Sequence, residues 1–482
     1  MKSLTEKEIT FIINKVRSVA AGTLLYVLKK RPCRREKRRA GRKELLIKMK
    51  TLDHLILFRT ASENAAIRDM TALIAEAEKE EPDREKAAEL YASCAGTLAE
   101  MAFSCGFTGN LWQTALAFFL VNDENAYSKA CEIRGSVPGS LNIAALQDLT
   151  AIKALFDYDL GLLETRLSLT GLTMLTAYEA SDDGRKRFSR RIRTRISDLA
   201  ADLAKAGTAE AFKSTLEAFY GEYGVGRIGL HKAFRIEELP DGHADIVPIT
   251  NVAHVSLDDL VGYESAKQKL VENTEAFIEG RRANNCMLFG DAGTGKSTSV
   301  KAILNQYYDR GLRIIEVYKH QISHIHEIIS KVKDRNYRFI LFMDDLSFED
   351  FEVEYKYLKA VIEGGLERKP ENVLIYVTSN RRHLIREDYS DKAGTRFSSD
   401  IHTSDTVQEK TSLSARFGVT IYFPSPSKME FNRIVRELAK RAELDIPDEE
   451  LMEEANKWEI AHSGFSGRTA QQFIDHMSGL KV

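Results

Sequence analysis

The sequence predicts an α/β fold. A five-stranded parallel sheet is covered by helices on both faces, followed by a small helical lid and preceded by a mainly α-helical N-terminal domain. Three observations predict it. Ala, Leu, Glu and Lys dominate residues 50–220, where Pro is nearly absent. Five short apolar, β-favouring runs then follow (286–289, 313–317, 339–343, 373–378 and 419–423), most of them separated by longer helical patterns. The remaining C-terminal stretch returns to helix, with Phe431, Ile434, Val435 and Leu438 at three- and four-residue steps.

A chain of 482 residues has room for about two to four domains. Within the helical half, Ala87, Leu90, Tyr91, Cys94, Leu98, Met101 and Cys105 fall on one helix face. Glu81-Pro82-Asp83 and the Gly- and Asp-rich segments 135–139 and 181–184 mark loops. Around residue 222 the texture changes. The stretch 223–250 is rich in Gly, Val and Ile, contains Pro240-Asp241-Gly242 and reads as a linker with a short hairpin. The expected domains are therefore 1–222 (helical, recognition or regulatory), 223–250 (linker), 251–425 (core) and 426–482 (lid).

Composition excludes several classes. Hydrophobic residues at 43% and charged residues at 29% provide a full core and argue against general disorder. Lys+Arg 69 against Asp+Glu 71 leaves a net charge of −2, so any attraction to nucleic acid or membrane must be local. Five widely spaced cysteines without a C-x-x-C pair fit a reducing, cytoplasmic setting better than a disulfide framework. No apolar run approaches the ~18 residues of a membrane span. Lys15 and Arg17 interrupt the N-terminal apolar stretch, which does not read as a signal peptide.

The chemistry is carried by Gly290-Asp291-Ala292-Gly293-Thr294-Gly295-Lys296-Ser297, which fits G-x-x-x-x-G-K-[ST] at every fixed position. It lies between a predicted strand and a predicted helix that begins at Thr298. The glycines let main-chain N–H groups curl around phosphate oxygens, and the helix adds the positive end of its dipole. Lys296 offers a point charge to the β- and γ-phosphates, and Ser297 offers a hydroxyl to Mg²⁺. The run 339–343 ends in Asp344-Asp345. Asp344 is the expected metal-side acid, and Asp345 the group that orients or deprotonates water, with Glu349 as its rival. Asn380 lies just beyond the fourth run, where it reaches the γ-phosphate or forms a simple turn. Arg416, just before the fifth run, and Arg468, at the start of the last helix, are either phosphate-directed or ordinary surface arginines.

In this order the motifs resemble the AAA+ ATPase superfamily over roughly residues 245–480. The resemblance implies Walker A at Gly290–Ser297, Walker B at Asp344-Asp345, sensor 1 at Asn380, an arginine finger at Arg416 and sensor 2 at Arg468. Asp258-Asp259-Leu260-Val261-Gly262-Tyr263-Glu264 resembles the adenine-side motif, which implies that Val261 and Gly262 contact the nucleotide. Asn284-Asn285-Cys286, Asp344-Asp345-Leu346-Ser347-Phe348-Glu349 and Thr378-Ser379-Asn380-Arg381-Arg382-His383 are together similar to a bacterial AAA+ family, domain of unknown function eight hundred and fifteen. That family has no assigned role. The resemblance implies a P-loop NTPase core that binds ATP and Mg²⁺, hydrolyses ATP and remodels an unidentified macromolecular client. It also implies a ring or dimer completed by Arg416. The sequence departs from most AAA+ proteins in having Asp345 where Glu is usual. Tyr318-Lys319-His320-Gln321-Ile322 lacks the aromatic–apolar–Gly loop of unfoldases.

Two basic runs are weaker signals. Ten Lys or Arg lie between Lys29 and Lys43, and seven between Arg185 and Arg195. Each reads as a nucleic-acid or anionic-membrane contact, or as a solvated helix face or a contact with an acidic partner surface, and Phe188 is the only aromatic in either. His320, His324 and His326 lack the partners of a metal site. Alternatives to a remodelling ATPase are a P-loop kinase, a nucleotide-gated binding module with little hydrolysis, and a nucleic-acid-associated loader.

Overall fold

The computed structural model describes residues 54–180, 190–349, 352–364, 370–382, 384–385, 413–462 and 464–480. The basic run between Lys29 and Lys43, residues 185–187 of the second run, and the polar stretch 391–410 lie outside the described residues. The chain divides into two compact units between Tyr220 and Gly221.

The first unit is helical. Its helices are α1 (Ala65–Ala77), α2 (Arg84–Cys105), α3 (Leu111–Asn122), α4 (Ala126–Arg134), α5 (Ser140–Phe156), α6 (Gly161–Leu167), α7 (Thr173–Thr176), α8 (Arg190–Lys205) and α9 (Ala209–Tyr223), the last running past the division. Side-chain oxygens of Asn64, Asp83, Asn110 and Asn125 cap four of them, each accepting a first-turn N–H. Helix α2 buries Ala87, Cys94, Leu98 and Cys105 of the expected face. Asp148 of α5 is fully buried and accepts the N–H groups of Ile56, Leu57 and Phe58. This fixes the entry of the described chain onto the bundle. No helix among the described residues is long and apolar enough to cross a membrane.

The second unit opens with a short helix, α10 (Gly226–Leu230), and then holds a seven-stranded sheet of order β2-β1-β4-β5-β6-β3-β7. The strands are β1 (Ala233–Glu238), β2 (Ala244–Pro248), β3 (Cys286–Gly290), β4 (Leu312–Glu316), β5 (Arg338–Met343), β6 (Val373–Ser379) and β7 (Val419–Phe423). The five expected parallel strands are β3 to β7, and they form one continuous block. The sheet is wider than the sequence predicts. The hairpin of 223–250 joins the sheet, because β1 pairs in parallel with β4 (Ala233↔Ile314, Phe234↔Ile315), while β2 pairs antiparallel with β1. Phe234, Ile236, Ala244 and Ile246 are buried by this docking, which an isolated two-stranded hairpin would leave wet.

Among the described residues the longer helices that follow are α11 (Glu264–Ile278), α12 (Lys296–Tyr307), α13 (Ile325–Val332), α14 (Glu354–Glu363), α15 (Lys428–Arg441), α16 (Asp448–Ala461) and α17 (Gly467–Gly479). Two apolar clusters cover the two faces of the sheet, one around Phe339, Leu341 and Ile375, the other around Leu288, Val300, Ile340 and Tyr376. Strand β6 is buried along its whole length, as expected of a central parallel strand. Cys286 packs inside as a small apolar group, and burial pushes its thiol pKa up. The lid, α15 to α17, has its own core of Phe431, Ile434, Val435, Leu451, Phe473 and Ile474.

Arg313 of β4 is 3% exposed. Its guanidinium donates to the carbonyls of Ile228 (3.0 Å), Gly229 (3.1 Å), Tyr308 (3.2 Å) and Leu312 (2.9 Å). Two of these are last-turn carbonyls of α10, which an ending helix leaves without partners. The guanidinium also lies over the rings of Tyr308 and Tyr337, at 4.1 and 4.2 Å. Arg313→Met is expected to lower unfolding stability by about 2–4 kcal/mol, because stranded buried acceptors each cost ~1–3 kcal/mol before relaxation. A shift in the urea midpoint measures this, and a loss under about 1 kcal/mol contradicts the assignment.

Candidate functional site

The crevice forms where the sheet order reverses. Strand β3 sits between β6 and β7, and the chain leaving β3 crosses to β4, two strands beyond β6. Such a switch point opens a gap at the C-terminal strand ends. The gap is a cavity of about 810 Å³, within the range of small-molecule sites. Its floor is the loop after β3 and the start of α12, through Ala292, Gly293, Thr294, Gly295, Lys296, Ser297 and Thr298.

The loop takes a path that only glycine follows easily. Gly290 has φ +139°, and a Cβ there would lie 2.0 Å from the Phe423 carbonyl oxygen of β7. Gly295 has φ +94°, and its Cβ would meet the Leu260 side chain at 2.1 Å. Gly290 and Asp291 do not line the cavity. Instead Asp291 accepts the Ser425 N–H at 2.9 Å and so ties the loop to the segment after β7.

Lys296 is 7% exposed. Its ammonium donates to the carbonyls of Gly290 (2.9 Å) and Asp291 (2.6 Å) and to Asn380 Oδ1 (3.0 Å). Burial holds its pKa below the ordinary lysine value, against the pull of Asp345, Asp291 and Asp344. Asn380, just past β6, donates its Nδ2 to Asp345 Oδ1 at 2.7 Å. Ser297 Oγ donates to Asp344 Oδ1. Thr378 Oγ1 donates to the same oxygen at 2.5 Å and accepts the Asp345 N–H at 2.8 Å. Asp345 itself is in the left-handed region, with φ +50°. A hydroxyl and a carboxylate in contact form a hard-oxygen pair of the type that holds Mg²⁺, so the residues present fit that ion.

The upper wall comes from the lid and from the segment before α11. Ile434, Leu438, Gly467, Arg468, Gln471 and Gln472 line it on the lid side, and Val255, Asp259, Leu260, Val261 and Tyr263 on the other. The lid touches the loop directly, since the Arg468 N–H donates to the Gly293 carbonyl at 3.1 Å. Gly262 lies in an adjoining recess with Tyr422 and Pro424.

The cavity thus gathers Lys296, Ser297, Asp344, Asp345, Asn380, Arg468 and Val261. Glu349 and Arg416 are not among its lining residues. Glu349 lies 4.0 Å from Arg381. Arg416 donates its Nε to Glu363 Oε1 at 2.6 Å. Lys301 and the two glutamines escape the sequence reading, and Thr378 and Leu260, though inside its motifs, are given no role there. Thr378 carried the best available signal, as a hydroxyl two residues before Asn380 at a strand end. Among the described residues no three His, Cys, Asp or Glu side chains gather as metal ligands.

The profile of a family described as "Protein of unknown function (DUF815)" matches residues 229–481. No sequence among the curated proteins matches the chain. Among solved structures, the chain is similar to the Thermotoga maritima RuvB Holliday junction branch migration motor, at 18% identity and TM-score 0.33, over 46% of this chain and 63% of that one. It is also similar to the FIGL-1 AAA domain in complex with ADP, at 16% identity and TM-score 0.33, over 47% of this chain and 74% of that one.

The two glycines predict different penalties. Gly290→Ala must displace β7 main chain and is expected to cost more than about 3 kcal/mol. Gly295→Ala strains φ and pushes only a side-chain end, at about 1–2 kcal/mol. Thermal unfolding of both variants checks the order, and equal losses contradict it.

Proposed function

Because the chain belongs to the family described as "Protein of unknown function (DUF815)", whose chemistry that description leaves open, we propose from the crevice itself that the protein binds Mg-ATP there and hydrolyses it as an AAA+ ATPase. The supporting observation is the convergence, in one cavity, of Lys296, the Ser297–Asp344 contact and the Asn380–Asp345 contact. The loop amides and Lys296 bind the triphosphate and balance its charge. Ser297 and Asp344 would hold Mg²⁺, which when bound would supply further positive charge against the triphosphate. Asp345 takes the proton of the attacking water, and Asn380 orients that water or the γ-phosphate. Glu349, outside the cavity lining, is the weaker candidate for the base. Val261, Ile434 and Leu438 provide an apolar seat for the adenine, with Gly262 turning the chain beside it. Arg468 reaches the phosphates from the lid.

Arg416 faces Glu363 rather than the cavity of its own chain. That placement supports its acting on a neighbouring copy's nucleotide, which makes the working form a ring or dimer. The client is a macromolecule moved by the nucleotide cycle, with the helical unit as its recognition element. A second reading, a nucleotide-gated binding module with little turnover, is favoured by Asp345 alone. Its carboxylate is one methylene shorter than Glu and is already engaged by Asn380.

Phosphate release and nucleotide affinity separate these roles. Lys296→Ala is expected to weaken Mg-ATP binding by about 10–100-fold, the value of charge-assisted hydrogen bonds lost at a buried site. Asp345→Asn is expected to keep binding and lose about 10²-fold or more in turnover. Arg416→Ala is expected to bind normally but lose turnover, and the parent's specific activity should rise with protein concentration. Tight binding with no release of phosphate at any concentration selects the gated module instead.

A further inference from the structure

One buried hydroxyl touches both acids of the crevice. Thr378 of β6 is 1% exposed. A threonine hydroxyl has a single proton to give and lone pairs to accept with. The Asp345 N–H, at 2.8 Å, is donor only, so the hydroxyl must accept there. Its own proton is then committed to Asp344 Oδ1, at 2.5 Å, the oxygen that Ser297 also contacts. The direction of every proton in this chain is therefore fixed by the chemistry of its ends.

The backbone makes this hydroxyl matter. Asp345 sits at φ +50°, a conformation that is unfavourable for a non-glycine residue and persists only when its surroundings enforce it. Strand β6 provides that enforcement through three bonds. Besides the Thr378 hydroxyl, the Thr378 carbonyl accepts the Leu346 N–H at 2.8 Å, and Ser379 Oγ donates to the Leu346 carbonyl at 2.8 Å. The left-handed turn points the short Asp345 carboxylate at Asn380, 2.7 Å away.

We propose that Thr378 is a positioning residue: its one hydroxyl sets the geometry of Asp344 and Asp345 relative to each other and holds Asp345 in the left-handed turn that presents it to the reacting water. This rests on the proposed ATPase reading and adds a residue to it. Thr378 touches neither nucleotide nor water in this account and acts through the two acids.

The test compares Thr378→Val, which keeps the shape and removes the hydroxyl, with Thr378→Ser, which keeps the hydroxyl. Phosphate release, nucleotide affinity and thermal midpoint are measured on the full chain. The valine variant is expected to lose about 10–100-fold in kcat, the size of a misplacement near a reacting centre. Its nucleotide Kd should stay within about threefold of the parent, as for an interaction made only in the transition state. The serine variant should recover turnover to within about threefold of the parent, and adding Thr378→Val to Asp345→Asn should cost less than about twofold more. Unchanged kcat in the valine variant overturns the proposal, and so does a serine variant as impaired as valine. Parallel loss of kcat and affinity also overturns it, since that marks a general structural role. Should the valine variant not fold, Thr378→Ala replaces it with the same expected split. A parent that releases no phosphate refutes the ATPase reading, whereas an active parent matched by the valine variant refutes only the role of Thr378.

Discussion

Strand β6 lies between β3 and β5, and everything in the crevice depends on that adjacency. One residue past the end of β6, Asn380 has a lysine that follows β3 on one side and an aspartate that follows β5 on the other. Its amide is the right group for this place. The carbonyl oxygen accepts from Lys296, and the amide nitrogen donates to Asp345. A carboxylate there would repel Asp345, and an apolar residue would leave a buried ammonium with one partner fewer. The contact therefore links sheet topology to electrostatics: three neighbouring strand ends carry a cation, a neutral amide and an anion, in that order.

The crevice also relies on unusual backbone. Gly290, Gly295 and Asp345 all have positive φ and lie at the C-terminal ends of the strands or in the loop that follows. A loop that turns its amides inward and a strand that ends by turning an acid sideways both need unusual backbone. They are held by fully buried neighbours, Phe423 of β7 and Ser379 of β6. Rigid strands thus supply the constraint that the crevice residues could not maintain alone. The lid meets the crevice through main-chain groups. Its main-chain bond from Arg468 to Gly293 and the grip of Arg441 on the Asp258 and Asp259 carbonyls are peripheral contacts. Val261, from the segment before α11, also packs against the lid's own core.

Much of this was legible in the sequence, for identifiable reasons. Gly290 to Ser297 could be read because each fixed position meets a separate chemical demand, and the flanking strand and helix repeat the message. Strands β3 to β7 were visible because buried parallel strands are continuous apolar runs. The hairpin was recognised but its docking was not. Pairing of β1 with β4 joins residues some eighty positions apart, and the local alternation is the same whether a hairpin is free or paired. Thr378 was passed over because a threonine near a strand end is an ordinary β-former. Only its two bonds distinguish it. Arg416 is singled out in the sequence only by its place in the order of motifs. Its partner Glu363 lies 53 residues upstream, beyond the reach of any local pattern. The walls formed by Leu260, Gln471 and Gln472 depend on how the lid closes, which no periodicity encodes.

The central claim is that the gap between β3, β5 and the lid is a magnesium–nucleotide site. The most direct measurement is equilibrium titration of the full chain with a fluorescent adenine nucleotide, with and without Mg²⁺. The account predicts saturable binding at one site per chain that tightens when Mg²⁺ is present and is displaced by unlabelled ATP. Absence of saturable binding up to millimolar nucleotide in the presence of Mg²⁺ would contradict it.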